Sequence, residues 1–271
     1  MSPFLWQKKQ DQLLKLLHGY GSCAVAFSGG LDSSVLAKAA VEALGDRVVA
    51  LTTTGPSMPK GELEAAVELT QLIGIRHEVI ETNELADSRY QANTPERCYF
   101  CKQIICRRLI ARARQLDLTV VIDGTNADDQ NDYRPGTRAA RELGVHGPLA
   151  ECGLGKEDLR ELARHWRLPT HDKPASPCLA TRIAYGLTIT AERLTMIDRA
   201  ERFLHDRGFL IVRVRLHEGE LARVEVPLDD IARLFESDVR RELVDHLRRC
   251  GFRYVTIDLE GFRSGSMNKV L

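Results

Sequence analysis

The segment SGGLDSS at residues 28–34 carries the strongest chemical signal in the sequence. Gly29 and Gly30 permit close approach of the backbone to a ligand, while Ser28 and Ser33 add hydroxyl groups. The segment follows an apolar run and opens a helical pattern, so its N–H groups are expected at a helix N-terminus, which attracts anions. An ordinary tight turn is the alternative. The full string in this context favours a pyrophosphate-binding loop.

Asp32 lies inside this loop and is the member least compatible with phosphate. A carboxylate beside a phosphate needs an intervening cation, so we assign Asp32 to Mg²⁺ or to ordering of the loop. The chain lacks the pattern GxxxxGKS/T, which is typical of the kinases and GTPases that stage γ-phosphate transfer. The loop therefore indicates ATP used in another way.

Cysteines supply the second signal. Cys98 and Cys101 form a CxxC in ERCYFCK, directly before a helical pattern, and a helix N-terminus lowers the pKa of a thiol. A CxxC can be half of a zinc site, but no second CxxC or His-rich pair at finger spacing follows. That leaves a redox pair, a cluster completed from far along the chain, or two incidental thiols. Cys178 lies in the extended segment DKPASPCLATRIAYG, where Lys173 and Arg182 favour a thiolate. We expect its sulfur to face a bound substrate.

The composition excludes several classes of protein. Acidic and basic side chains number 38 each in 271 residues, so no global field favours duplex nucleic acid or an anionic membrane. Residues 1–20 lack the apolar core of a signal peptide, and no stretch reaches the length of a membrane span. We expect a soluble, cytoplasmic protein. Seven cysteines, an odd number, argue against a disulfide framework, and Cys23 and Cys250 are expected in the core.

These groups must be positioned by an alternation of strands and helices. Apolar runs are followed by amphipathic stretches, with strands expected at 23–27, 48–52, 77–81 and 119–123 and helices at 31–44, 58–73 and 102–116. This pattern predicts an α/β fold with a doubly wound parallel sheet. In such sheets ligands bind beyond the carboxyl ends of the strands, where SGGLDS, TTTGPSMP and DGTNADD lie.

The pattern changes after residue 168. Residues 168–187 are rich in proline and are expected to form a loop, followed by a helix at 190–207 and strands at 210–216, 221–226 and 252–260. We predict a first domain over residues 1–180 and a smaller α+β domain over residues 181–271.

The loop SGGLDS resembles that of the PP-loop ATP pyrophosphatases, across roughly residues 15–170. This resemblance implies adenylation of a substrate oxygen with release of pyrophosphate. It implies that the loop holds the β- and γ-phosphates and that Ala50–Thr54, with Thr53 as our candidate, meets the adenosine. It also implies Asp128 or Asp129 as a Mg²⁺ ligand and Lys156 as a phosphate contact. A solvated turn and a charged helix start are the respective alternatives.

Together the segments SGGLDS, ERCYFCK, DGTNADD, DKPASPCLATRIAYG and DLEGFRSGSMN resemble the LarE family of ATP-dependent sulfur transferases over nearly the whole chain. The resemblance implies adenylation of the two carboxylates of pyridinium-3,5-biscarboxylic acid mononucleotide and their conversion to thiocarboxylates, as part of nickel-pincer nucleotide biosynthesis. It also implies a homo-oligomer, a trimer-based hexamer.

Within that family, Cys178 matches the cysteine that is sacrificed as sulfur donor in one subgroup. Cys98, Cys101 and Cys178 together resemble a second subgroup, in which three thiolates hold a 4Fe–4S cluster with one open iron. We favour the cluster and keep the sacrificial route as the alternative.

The second domain offers candidates for substrate binding. Arg213 and Arg215 are two apart in a predicted strand and so share a face, where they could clamp a phosphate. Cross-strand pairing with acidic residues such as Glu225 is the alternative. The other candidates are Arg182 and Arg263 for substrate, with Glu225 and Asp258 as metal or ribose ligands by resemblance.

The sequence leaves three rival functions open: a PP-loop enzyme that thiolates tRNA, an amidotransferase-type synthetase such as NAD or GMP synthetase, and a sensor without turnover. The neutral chain argues against the first, and the cysteines are unexplained by the second.

Overall fold

The structure is a computed structural model that describes residues 3–131, 135–263 and 265–267. In chain order its helices are α1 (Pro3–Tyr20), α2 (Leu31–Leu44), α3 (Glu62–Ile73), α4 (Ser88–Gln91), α5 (Arg97–Gln115), α6 (Pro135–Glu142), α7 (Pro148–Glu151), α8 (Lys156–His165), α9 (Ala191–His205), α10 (Ile231–Leu234) and α11 (Ser237–Cys250). The strands are β1 (Cys23–Ala26), β2 (Val48–Thr54), β3 (Arg76–Glu81), β4 (Val120–Ile122), β5 (Arg213–His217), β6 (Leu221–Glu225) and β7 (Tyr254–Ile257).

The chain forms two compact units. The first unit contains residues 1–55, 60–83 and 98–176, and the second contains residues 56–59, 84–97 and 177–271. The chain passes from the first unit to the second for the last time after residue 176, whereas we predicted a single boundary at residue 180. The sequence pattern gave no sign that two earlier segments belong to the second unit.

The first unit is built on a parallel sheet of strand order β3-β2-β1-β4. Alternate residues of β1 point to opposite faces, so Val25 packs into the cluster that contains α1, α2 and α8, while Ala24 packs against α5. Helices therefore cover both faces, as the apolar strands predicted. The expected fold class is confirmed, and Cys23 is fully buried in this core as expected.

Two helix starts differ from the prediction. Helix α5 begins at Arg97 rather than near residue 102, so Cys98 and Cys101 lie within the helix and not before it. Helix α3 begins at Glu62, four residues later than predicted, because Gly61 at its N-cap adopts a left-handed φ of 91°.

The second unit contains a smaller sheet of order β5-β6-β7, in which β5 and β6 are antiparallel and β6 and β7 are parallel. Helices α9 and α11 pack on each other, and Cys250 is buried there as expected. Across the described ranges we find no helix with the length and apolarity needed to span a membrane. Ser264 and Asn268 of the motif DLEGFRSGSMN lie outside the described residues.

Candidate active site

The predicted phosphate loop connects β1 to α2, and it is ordered by its own side chains. Ser33 Oγ lies 3.1 Å from Ser28 Oγ, and Ser34 Oγ donates to the Gly30 carbonyl at 2.6 Å. Gly29 adopts a φ of 69°, and a Cβ there would stand 3.2 Å from the backbone of Ala66. Only glycine satisfies both conditions. The first turn of α2 therefore presents its N–H groups over a preformed loop, which is a geometry suited to anions.

Asp32 and Lys156 meet beside this loop although they are 124 residues apart. The Lys156 ammonium lies 2.7 Å and 2.5 Å from the two Asp32 oxygens, and Asn126 donates to Asp32 at 3.3 Å. Lys156 also donates its backbone N–H to Asp128 at 2.7 Å. Folding thus brings SGGLDS and DGTNADD together, as strand-end positions predicted, and adds the start of α8, which only the family resemblance had suggested.

Asp129, another candidate for Mg²⁺, is buried and accepts a hydrogen bond from the Asn126 backbone N–H at 3.1 Å. Asp128 is exposed. No group of three or more His, Cys, Asp or Glu side chains within the described part of the chain is arranged to hold a metal ion.

A cavity of about 490 Å³ opens at the carboxyl end of the sheet and contains this loop. Its wall combines loop, strand-end and helix residues, among them Ser28, Asp32, Ser33, Thr53, Cys98, Lys102, Asp123 and Gly124. A larger cavity of about 860 Å³ lies beyond β4 and shares Asp123, Thr125, Asp129 and Thr137 with the first, but it lacks the loop serines. Of these two cavities, the smaller one is lined by Ser28, Asp32 and Ser33 of the loop.

Lys102 and Asp123 form an ion pair in this wall that sequence reasoning missed. Lys102 Nζ lies 2.9 Å from Asp123, whose other oxygen accepts from Thr125 Oγ1 at 2.6 Å. Burial by itself would raise the pKa of Asp123, but the Lys102 charge and the Thr125 hydrogen bonds outweigh it and hold that pKa below its usual value. Burial likewise disfavours the Lys102 charge, yet Asp123 keeps the pKa of Lys102 raised. The sequence signal that could have revealed this pair is the position of Lys102 in ERCYFCK, directly after Cys101.

We expect Lys102→Met to lower the free energy of unfolding by about 2 kcal/mol, because Asp123 would lose its partner while remaining buried. Urea unfolding measures the change. A carboxyl with a depressed pKa contributes stability above its ordinary pKa and loses it as the pH falls, so the difference from wild type should shrink below about pH 4. Adding Asp123→Asn should recover part of the loss. Arg164→Ala, which breaks an exposed pair with Glu161, is the control and should change little. An equal loss of stability in Lys102→Met and Arg164→Ala would contradict a stabilising role for the Lys102–Asp123 pair.

Lys173, which we expected to add charge near Cys178, lies against the phosphate loop within the first unit. Its ammonium is 2.9 Å from Glu62 and 3.3 Å from the Gly29 carbonyl oxygen. It therefore adds a cation beside the loop.

In the second unit, Cys178 is half-buried and immediately precedes a short turn, Leu179–Arg182. Its carbonyl oxygen accepts from Thr181 Oγ1 at 2.8 Å and from Arg182 Nη1 at 3.0 Å. Arg182 also donates to the Pro177 carbonyl and pairs with Glu201 through two hydrogen bonds of 3.0 Å each. The backbone that carries the sulfur is therefore held on both sides of Cys178.

This arrangement changes the interpretation of Arg182, which we predicted as a substrate contact. Its side chain is only 1 % exposed, and its donors go to Glu201 and to the Cys178 turn. Since these donors are already used, Arg182 is better suited to position Cys178 than to bind a ligand.

Arg213 and Arg215 share a buried face of β5, as their spacing predicted. Arg215 pairs with Glu225 at 2.7 Å, and Glu225 also accepts from Arg223 and Ser266, at 3.0 and 2.9 Å. Glu225 is fully buried, so these protein donors occupy the positions that a metal ion would need.

Arg213 lies 5.3 Å over the Phe262 ring. Burial, followed by repulsion from Arg182, lowers the pKa of Arg213 to about 10. Arg263 lies 3.5 Å from Asp258 and also pairs with Glu260. Asp258 is thus an ion-pair partner of Arg263, a contact that the sequence did not predict.

A parallel sheet whose first strand leads into an SGGLDS loop at a helix N-terminus defines a PP-loop ATP-utilising domain. A family model described as NAD synthase matches residues 5–125. NMN synthetase from Francisella tularensis has a similar fold, with a TM-score of 0.52 and 22 % sequence identity over 64 % of this chain and 76 % of that one.

Two relatives match over almost their entire length. An uncharacterised protein of Synechocystis sp. is 43 % identical over 98 % of each chain. The pyridinium-3,5-bisthiocarboxylic acid mononucleotide synthase of Lactiplantibacillus plantarum is 36 % identical over 97 % of this chain and 95 % of its own. The chain therefore belongs to the LarE family, and it is an ATP-dependent sulfurtransferase.

Proposed function

We propose that this enzyme converts the carboxylates of pyridinium-3,5-biscarboxylic acid mononucleotide to thiocarboxylates. The observation that carries the proposal is similarity at 36 % identity, over nearly the full length of both chains, to a synthase named for the bisthiocarboxylic product. A carboxylate is a poor electrophile because its leaving group would be oxide. Its oxygen attacks the α-phosphorus of ATP, pyrophosphate leaves, and the resulting acyl adenylate has AMP as leaving group.

For the first half-reaction we assign the pyrophosphate to the loop residues and Lys156. The N-terminus of α2 and the Lys156 cation stabilise the negative charge that develops on the leaving group. The Asp32 carboxylate, together with Asp128 or Asp129, supplies the oxygen ligands that Mg²⁺ prefers, and when bound Mg²⁺ neutralises phosphate charge. Thr53 at the end of β2 is our candidate for the adenosine.

For the second half-reaction we assign the sulfur to Cys178. In the sacrificial route its thiolate attacks the acyl carbon and expels AMP, giving a thioester. Loss of the Cα proton to a base then breaks the Cβ–Sγ bond, so the thiocarboxylate leaves and dehydroalanine remains.

In the route that we favour, Cys98, Cys101 and Cys178 are the ligands of a 4Fe–4S cluster, and when bound the cluster supplies an exchangeable sulfide. The donor type fits, and Cys98 and Cys101 are one helical turn apart on α5. The cluster, like the trimer-based hexamer, remains a prediction from the family resemblance.

We assign the substrate phosphate to Arg213 and Arg215. Arg213 and Arg215 are both buried on one face of β5, where two guanidinium groups can donate to a single phosphate. Burial and repulsion from Arg182 lower the pKa of Arg213 to about 10, and a bound phosphate would favour its charged form. Arg263 lies closer to acidic partners and is the weaker candidate.

The test is to incubate the enzyme with ATP, Mg²⁺ and the biscarboxylate mononucleotide under anaerobic conditions. We expect AMP, pyrophosphate and a product whose mass reflects replacement of oxygen by sulfur. The monocarboxylate analogue, nicotinic acid mononucleotide, is the specificity control. Pyrophosphate release without any thiocarboxylate would overturn the proposal, and thiolated nucleosides from added tRNA would favour the tRNA alternative.

A further inference from the structure

The segment 84–97 belongs to the second unit although the chain on both sides of it belongs to the first. Within the second unit it is hydrogen-bonded to residues 177–189, which contain Cys178 and which we call the Cys178 loop. Ile189 donates its N–H to the Gln91 carbonyl at 2.9 Å, and Gly186 donates to the Asn93 carbonyl at 3.2 Å. None of the sulfur chemistry described above uses this segment.

Asn93 is the centre of these contacts. Its side chain is fully buried, and its amide nitrogen donates to the Ala184 and Leu187 carbonyls at 2.8 and 2.9 Å. Its φ is 51°, in the left-handed region that residues other than glycine rarely adopt. Asparagine tolerates this conformation best among such residues, so one residue provides both the backbone turn and the donors.

Arg97 completes the cluster. Its Nη1 donates to Asn93 Oδ1 at 2.5 Å and lies 3.4 Å from the Ile183 carbonyl oxygen. Its guanidinium stacks 4.6 Å above the Tyr185 ring, and the residue is only 4 % exposed. Carbonyl oxygens and a ring face therefore compensate this buried cation.

Residues 56–59, the other short segment of this unit, hold the N-terminal end of the Cys178 loop. Leu179, next to Cys178, donates its N–H to the Ser57 carbonyl at 2.8 Å, and Ser57 Oγ lies 2.5 Å from Tyr90 Oη. Residues 56–59 and 84–97 therefore anchor the Cys178 loop on both sides of its turn.

We propose that Asn93 and Arg97 are positioning residues for sulfur transfer, because they fix the loop that carries Cys178. The inference rests on the proposed role of Cys178. A displacement of a reacting group by about 1 Å costs on the order of 10²-fold in rate, so loss of these hydrogen bonds should affect sulfur transfer and not adenylation.

The test compares Asn93→Gly with Asn93→Asp. Glycine keeps the left-handed backbone and removes only the side-chain hydrogen bonds, and we expect kcat for thiocarboxylate formation to fall about 10²-fold. The single-turnover rate of substrate-dependent pyrophosphate release should stay within about threefold of wild type. Aspartate keeps the oxygen that faces Arg97 but turns a second oxygen toward the Ala184 and Leu187 carbonyls. Asn93→Asp should therefore lower kcat for thiocarboxylate formation more than Asn93→Gly does.

A second readout does not depend on turnover. We expect iodoacetamide to alkylate Cys178 about tenfold faster in Asn93→Gly, as local opening of the loop becomes easier, while the rate at Cys152 in the first unit stays unchanged. Mass spectrometry of native-state digests gives both rates. Equal acceleration at both cysteines, unchanged alkylation of Cys178, or parallel loss of both half-reactions would each overturn the positioning role. If wild type forms no thiocarboxylate, the proposed function fails, whereas the alkylation rates still test the anchoring.

Discussion

Asp32→Ala is expected to lower substrate-dependent pyrophosphate release about 10³-fold. The substitution removes the carboxylate that pairs with Lys156 at 2.5 Å and that we assign to Mg²⁺ at the phosphate loop. Without it, phosphate charge is less neutralised and the ammonium loses its position. Asp32→Asn should be almost as defective, because it preserves size but not charge. A stopped assay of pyrophosphate with both substrates measures the effect.

The matched control is Asp46→Ala, which removes an exposed carboxylate from a turn in the same unit. It should leave the rate within about twofold of wild type. Retention of more than about a third of the wild-type rate in Asp32→Ala would exclude an essential role for this carboxylate.

Cys178→Ser is expected to reduce thiocarboxylate formation by about 10³-fold or more, while the single-turnover rate of pyrophosphate release remains within about threefold of wild type. Serine retains the size of the side chain, and the carbonyl of residue 178 keeps its hydrogen bonds to Thr181 and Arg182. The phosphate loop in the first unit is unchanged. The expected result is therefore an enzyme that activates its substrate but cannot supply sulfur.

The two sulfur routes predict different results for Cys98→Ser and Cys101→Ser. If Cys98, Cys101 and Cys178 hold a cluster, Cys98→Ser and Cys101→Ser should abolish transfer and the visible absorbance of anaerobically reconstituted protein. If Cys178 is sacrificed, those variants should transfer sulfur normally and wild-type protein should lose the mass of hydrogen sulfide. Cys152→Ser is the control, since burial raises the pKa of that thiol and disfavours its thiolate. Normal transfer by Cys178→Ser would contradict both routes.

Much of the first unit was predictable because its signals are local. The strands of its sheet are apolar runs between turn residues, and SGGLDSS needs only its own glycines and serines to form a loop at a helix start. Parallel strands bring their carboxyl ends together, so the meeting of Asp32 with the DGTNADD loop followed from the fold class. The start of α5 was misplaced because Cys98 and Cys101 have no strong helical signature of their own.

The sequence by itself predicted a parallel α/β domain, which the structure confirms. It also offered a phosphate loop with Asp32 and three candidate cysteines for sulfur chemistry, which stay predictions. Only the tertiary structure decided which charges pair, because those contacts join residues far apart in the chain. Lys102 meets Asp123, Lys156 meets Asp32, and Arg182 is turned toward Glu201 instead of a ligand. The same is true of Asn93, whose left-handed backbone and buried amide have no local signature. Burial makes each unpaired charge or donor unfavourable, so the partner that folding supplies determines what each side chain can do.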